Sequence, residues 1–390
     1  MSSFFESLVQ RLADTWNGVD KRRTRPSRSY RCVCERPVFF RNSRCLGCQT
    51  PLGYLPGTGK IHALAPGGAA GRWKIAGTKD VPAAEFMRCG NFDSPAGCNW
   101  LVPAGSTEPL CVACRLNRTI PNLALPENAV LWARLEAAKR RLVAQLLELG
   151  LPVRSRVSED PEHGLMFDFL RSPACGPRVL TGHDGGLVTI NIEEADDAMR
   201  ERMRNELREP YRTLLGHCRH EVGHYYWDRL IAGTPWHAPF RAVFGDERAD
   251  YAAALKRNYE SGPPPDWPDR HVSSYASVHP WEDWAETWAH YLHLVDTLNT
   301  ALGFGLAGND VEFDAEPFTH DALYDRAAPD ADRFLSLLNS WIQLTAVLNE
   351  LNRSMGQPDL YPFVLSKPAV RKLQFIHRVV ADANQQAKAE

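Results

Sequence analysis

Eight of the chain's ten cysteines fall between residues 32 and 114 in close groups: Cys32-x-Cys34, Cys45-x-x-Cys48, Cys89, Cys98 and Cys111-x-x-Cys114. Two thiolates two residues apart can bind one tetrahedral ion from a tight turn, so a pair of CxxC motifs is a strong signal of zinc. The CxC pair and the wider gap from Cys89 to Cys98 are less regular. Eight ligands make two four-thiolate sites. In the simplest, sequential pairing, Cys32, Cys34, Cys45 and Cys48 hold one zinc and Cys89, Cys98, Cys111 and Cys114 the other. An interleaved pairing, a single zinc, or disulfides are the alternatives. A closed four-thiolate site has no open coordination position, so this module is expected to bind or brace and not to catalyse. The surrounding sequence is rich in Gly and Pro with little helical periodicity, which predicts loops, short strands and a small core over residues 32–122.

Redox compartment bears on that choice. The opening MSSFFESLVQRLADTW carries Glu6 and Asp14 and lacks an apolar run followed by a small-residue cleavage site, so it does not read as a secretory signal. No stretch approaches the roughly 18 apolar residues of a membrane span. The expectation is a cytoplasmic protein with no membrane association, in which clustered thiolates favour metal over disulfides. Cys175 and Cys218 have no cysteine close in sequence and are expected as packed thiols. With 44% hydrophobic and 24% charged residues and a net charge of −2, the 390-residue chain has an ordinary globular balance and no global field favouring nucleic acid. One local exception is residues 21–31, KRRTRPSRSYR, with six basic residues and no acid. Together with an amphipathic helix expected over residues 3–16, this makes a first segment, 1–31. The arm is either solvated or a contact for nucleic acid or protein beside the cysteine module.

LPGTGK superficially suggests a phosphate loop. The residue five before Gly59 is Tyr54, however, and Ile61 follows Lys60 where Ser or Thr is needed, so no nucleotide site is expected there.

The third segment, 123–390, opens with a helical stripe over 127–149 formed by Leu131, Leu135, Leu142, Leu146 and Leu149, stopped by Gly150 and Pro152. Two strands are expected, at 165–170 and 187–193, and helices dominate from about Asp197. Near the C-terminus Phe334, Leu337, Leu338, Trp341, Leu344, Leu348 and Leu351 share one face and are expected to pack in a core. The fold class is therefore α+β: a mostly helical domain with a small sheet, preceded by a zinc-ribbon-like module.

The chemistry concentrates in GHCRHEVGHYYWDRL. His220 and His224, four apart on a helix, project from one face and can chelate one zinc, with Glu221 beside it. Two neutral imidazoles leave zinc Lewis-acidic, and the adjacent carboxylate can take a proton from the attacking water. Trp227 and Leu230 stand where a third histidine motif would need Gly and His, so the third ligand must come from elsewhere. SYASVHPWEDWAETWAHY supplies it: on a helix starting near Pro280, Glu282 and Glu286 stack four apart among Trp281, Trp284, Trp288 and Leu292. Burying two carboxylates there without a cation would cost several kcal/mol. Glu282 is assigned as the third ligand and Glu286 as the acceptor that orients a ligand histidine. Asp283 or Glu286 as the ligand, or a purely structural pair, are the rivals. Tyr275, seven residues before Glu282, is placed to donate to a developing oxyanion or is an ordinary packed tyrosine. Asp246, Glu247 and Asp250 in FGDERADYAAAL either serve their own helix or support the zinc histidines. His217, His279, His290 and His293 are expected as satisfied polar neighbours.

HEVGHYYW followed by SYxxxxxxEDWAE resembles the zincins with a glutamate third ligand (gluzincins), and the Tyr, Glu, Glu spacing is locally similar to the catalytic domain of anthrax lethal factor. More of the chain, through RCGN, CNWLVPA, CRLNRTIPNL, GHCRHEVGHYYWDRL, FGDERADYAAAL and DLYPFVLS, resembles the bacterial family of zinc-binding metallopeptidases with an N-terminal zinc-ribbon domain. That resemblance implies a zincin-like fold and peptidase activity on a peptide or protein, with no substrate specified. The expectation is a zinc metallopeptidase with one catalytic and two structural zincs. A zinc-ribbon adaptor carrying a degenerate peptidase domain, and a zinc hydrolase of a non-peptide amide, are the alternatives.

Overall fold

The computed structural model describes residues 29–77, 84–206, 209, 211–306 and 316–389. The expected helix at 3–16 and most of the basic arm lie outside them. Tyr30 and Arg31, the end of that arm, instead form a short strand, β1 (Tyr30–Arg31), paired antiparallel with β2 (Pro37–Val38) around the first cysteine turn.

After β2 comes a five-stranded antiparallel meander: β3 (Leu52–Leu55), β4 (Lys60–Pro66), β5 (Arg72–Ile75), β6 (Glu85–Arg88) and β7 (Leu101–Pro103). The segment is thus more regular than its Gly and Pro content predicted. Its apolar residues are few but converge: Leu55, Leu64, Phe86 and Leu101 form a buried cluster against Trp73 and Ile75. LPGTGK is the β3–β4 hairpin. Gly59 has φ +64, a conformation that side chains resist and glycine adopts freely, which explains the glycine without any phosphate.

The helix α1 (Pro126–Glu148) follows β8 (Asn117–Thr119) and leads to β9 (Met166–Leu170), β10 (Gly182–Asp184) and β11 (Leu187–Asn191). The sheet order is β10-β11-β9-β8, with β8 and β11 both parallel to β9. A parallel β8–α1–β9 crossover is one supersecondary unit, and β8 begins only three residues after Cys114. Of the described residues, 29–148 and 152–203 accordingly form one compact unit, and 149–151 with 204–389 form the other. The division expected between 122 and 123 does not follow these units. α1 and the small sheet pack with the cysteine-bearing residues, because splitting β8 from β9 would break a ladder. The α+β class holds for the chain, while the second unit shows no strand among its described residues.

Past α2 (Asp197–Glu206) the helices are α3 (Leu214–Leu230), α4 (His237–Phe244), α5 (Tyr251–Ser261), α6 (Trp267–Arg270), α7 (Pro280–Gly303), α8 (Ala331–Ser354) and α9 (Lys367–Ala389). α3 and α7 form the centre of the second unit. They approach closely because position 223 is glycine: a Cβ there would lie 3.1 Å from Ala285 Cα. Trp284 Nε1 then donates to Gly223 O at 2.8 Å across the interface. Tyr226, Trp284 and Trp288 stack behind this contact and are fully buried, with Phe240 and Phe244 of α4 edge-on to Trp284. A buried pair, Arg219 to Asp296 at 2.8 Å, ties the same two helices, and His293 Nδ1 lies 2.6 Å from Arg219 Nη1. Truncating one member of such a pair strands a charge and typically costs about 3–5 kcal/mol.

Two packing expectations fail. The α8 stripe is buried from Phe334 to Leu344, but Leu351 is 57% exposed. Cys175 is exposed, while Cys218 is buried as expected. No helix among the described residues is long and apolar enough to cross a membrane.

Candidate metal centre

The eight cysteines gather in two tetrads in sequential order, Cys32, Cys34, Cys45 and Cys48, then Cys89, Cys98, Cys111 and Cys114. Sulfur separations of 3.5 Å for Cys32 and Cys48 and 3.7 Å for Cys34 and Cys45 and for Cys98 and Cys111 are close to the ~3.8 Å edge of a zinc–thiolate tetrahedron. Local backbone makes this arrangement. Glu35 and Gln49 adopt left-handed φ of 63° and 62°, closing the turns whose amides return to Cys32 O and Cys45 O at 2.9 Å. In the second tetrad the Cys111 amide donates to Cys89 Sγ at 3.3 Å. The tetrads differ in exposure, since Cys34 and Cys48 reach solvent and every sulfur-bearing residue of the second is buried. Because binding energy at such a site is folding energy, Cys111→Ser should lower the unfolding midpoint of the full chain by several degrees without altering metal at the helix site. Differential scanning calorimetry with zinc analysis checks both.

The third cluster lies on α3 and α7. Thr213 caps α3 by accepting from the Gly216 amide at 3.0 Å, and His279 caps α7 through Nδ1, which accepts from the Trp281 amide at 3.1 Å. Pro280 suits the first helical position because its missing N–H would be unpaired there. These starts, with the Gly223 contact, set His220 and His224 against the first turn of α7. Their Nε2 atoms lie 3.1 and 3.6 Å from Glu282 Oε2. Two ligands of one tetrahedral zinc would stand about 3.4 Å apart. His220, His224 and Glu282 are thus brought together, and Glu221 lies between the histidines in sequence and is 9% exposed.

The residues behind them decide protonation. Glu286 Oε1 is 2.7 Å from His220 Nδ1, and Ser273 donates to Glu286 Oε2 at 2.6 Å. With Nδ1–H on Glu286, a neutral His220 turns its Nε2 lone pair toward the buried Glu282 Oε2. Two lone pairs at 3.1 Å repel unless a positive charge, a proton or a metal ion, lies between them, and two imidazoles with one carboxylate are the donor set of an open zinc site. The residues therefore fit zinc.

Electrostatics agree. Burial would lower the His220 imidazole, but Glu282 and Glu286 outweigh it and push it well above its usual range. Burial would likewise raise both carboxyls, yet the imidazoles hold Glu282 well below the carboxylate range and His220 brings Glu286 down to about 2. The pocket demands positive charge. Burial pushes the Glu221 carboxyl up, opposed by the neighbouring histidines, and it pushes the Tyr275 phenol up strongly, aided by Glu282 and Tyr251. Tyr275 is half-buried, its ring 5.9 Å from that of His220. Trp281, also half-buried, faces the site and packs on His224 at 3.9 Å.

The rival ligand Asp283 points away: it pairs with buried Lys372 of α9 at 2.6 Å and with His271 at 3.2 Å. The acids of FGDERADYAAAL serve their own segment and the helix before it. Asp250 caps α5 by accepting from Ala253, Asp246 pairs with Arg248, and Glu247 with Arg241 and His237. None of the three is hydrogen-bonded to His220 or His224 in these contacts. His279 and His290 are satisfied neighbours, His290 Nδ1 lying 2.6 Å from the Tyr361 hydroxyl. Sequence reasoning missed Ser273 and Tyr251. The signal for Tyr251 was Asp250 itself, whose cap places Tyr251 in the first turn of a helix between the two halves of the site.

Residues 128–379 match the family described as "Putative zinc-binding metallo-peptidase", well over half of the chain. The chain belongs to that family. Residues 29–125 match a zinc-ribbon domain, so the two family segments meet between 125 and 128. The metallo-peptidase family segment thus contains α3 and α7 with the whole helix cluster. Similar proteins occur in Mycobacterium bovis and in Mycobacterium tuberculosis strains CDC 1551 and H37Rv. Each is 42% identical over 355 residues, covering 90% of this chain and 95% of the relative, and each is described as uncharacterized. No solved structure matches.

Proposed function

We propose that the protein is a zinc-dependent peptidase in which His220, His224 and Glu282 hold the metal and Glu221 is the general base. The observation that carries this reading is the convergence of two imidazole nitrogens and one buried carboxylate oxygen beside Glu221. Zinc, when bound, supplies the Lewis acidity that polarises a scissile carbonyl and brings water toward ionisation at neutral pH. Glu221 takes the proton of the attacking water and returns it to the leaving amine. Its place between the two proposed histidine ligands, with the side chain almost buried, suits that role. Tyr275 stays protonated because burial disfavours its phenolate, and it donates to the carbonyl oxygen as charge develops there. Glu286, held by Ser273, keeps His220 in one tautomer and one orientation. The two cysteine tetrads, in this reading, hold structural zincs.

Metal content tests the architecture. The full chain should carry three zincs, and a variant with His220→Ala and His224→Ala should carry two by elemental analysis. Equal stoichiometry in the two proteins would remove the helix site from consideration as a metal centre.

A further inference from the structure

We propose that Tyr251 is a positioning residue for the third ligand: its hydroxyl holds one oxygen of Glu282 so that only the other is offered to the metal. The inference rests on the reading of His220, His224 and Glu282 as zinc ligands, and it does not depend on peptidase activity.

Tyr251 donates to Glu282 Oε1 at 2.6 Å, while Glu282 Oε2 faces both imidazoles. The two oxygens therefore have separate tasks. A glutamate side chain carries three rotatable bonds, and a carboxylate free to turn can bind a metal through one oxygen or both. A short hydrogen bond to the outer oxygen removes that choice. It also leaves Glu282 fully accounted for in a pocket where it is only 2% exposed.

Tyr251 is itself held from three sides. Its ring stands edge-on to His279 at 5.3 Å and to Trp281 at 6.0 Å, the residues flanking the start of α7. Asp250 caps the helix on which it sits. His279 ties the two elements together: with Nδ1 accepting from the Trp281 amide, Nε2 carries the proton and donates to Ala249 O at 3.0 Å. The backbone just before Tyr251 is thereby fixed to the cap of the helix that carries Glu282. A tyrosine at this place, with its hydroxyl 31 residues away in sequence from its acceptor, gives the FGDERADYAAAL segment a role that its three acids do not have.

Tyr251→Phe keeps the ring and removes only the hydroxyl. Zinc affinity of the full-length protein should be measured by competition with a chromophoric chelator, with the helix-site zinc identified by its absence in the His220→Ala, His224→Ala variant. The expected result is a Kd about 10- to 100-fold weaker, the usual loss when a group behind a ligand is removed, with tetrad zinc retained. Cobalt(II) exchanged into the helix site supplies a second readout. Freed to bind through both oxygens, Glu282 raises the coordination number and weakens the visible bands, a change that general destabilisation would not produce. An unchanged Kd and an unchanged cobalt spectrum in folded Tyr251→Phe would overturn this inference alone. Absence of any helix-site zinc in the wild type would overturn it together with the proposed metal centre.

Discussion

Glu221→Gln should keep its full complement of zinc and lose about 100- to 10,000-fold in peptide hydrolysis, the range that a positioned general base contributes. The substitution preserves side-chain shape, so α3 and the adjacent histidines should be undisturbed. What it removes is the acceptor for the proton of the attacking water. The effect should fall on kcat and on kcat/KM alike, because the lost interaction belongs to the transition state and not to substrate binding. Zinc analysis on the same preparation separates this outcome from metal loss, and unchanged turnover with zinc in place would contradict the role given to Glu221.

Glu282→Ala and Glu286→Ala should part company in metal affinity. Structural zinc sites yield about 10–16 kcal/mol from four ligands, so one ligand is worth on the order of 3 kcal/mol, or more than about 100-fold in Kd. Glu282→Ala leaves two protein ligands and strands the Tyr251 hydroxyl, and it should abolish tight binding at the helix site. Glu286→Ala frees the His220 ring and leaves the Ser273 hydroxyl without its acceptor, with an expected loss of about 10- to 100-fold. Chelator titration of both variants gives the order. If Glu286 proves the more damaging loss, the ligand assignment moves by one helical turn and the role proposed for Tyr275 goes with it.

Much of this site was readable because its logic is local. The four-residue spacings of His220 with His224 and of Glu282 with Glu286 place each pair on one helix face whatever the tertiary fold. An aromatic helix that buries two carboxylates needs a cation. Pro280 marked the start of α7 for the same local reason. Interactions between distant segments were not readable. Lys372, which neutralises Asp283 and excludes it as a ligand, comes from α9. The Tyr251 hydroxyl meets Glu282 across 31 residues, and His279 bonds to Ala249 just before α5. The same limit explains the unit boundary. Composition changes near residue 122, but β8 is three residues long and its pairing with β9 is long-range, so nothing in the sequence around Asn117 announces that α1 packs with the cysteine-bearing residues. At Leu351 the helical stripe continues in sequence, but its side chain is exposed.

Peptide-bond hydrolysis at the α3–α7 cluster is the activity proposed for this member of the zinc-binding family. It is tested most directly by incubating the full-length protein with a diverse peptide mixture and reading new termini by mass spectrometry. The protein would be assayed as isolated, after removal of the helix-site metal by a chelator, and after zinc is restored. The account predicts cleavage by the zinc-loaded protein, its loss on metal removal, its recovery with zinc, and no cleavage above background by Glu221→Gln. No cleavage by fully zinc-loaded wild type, or cleavage that persists in Glu221→Gln, would contradict it.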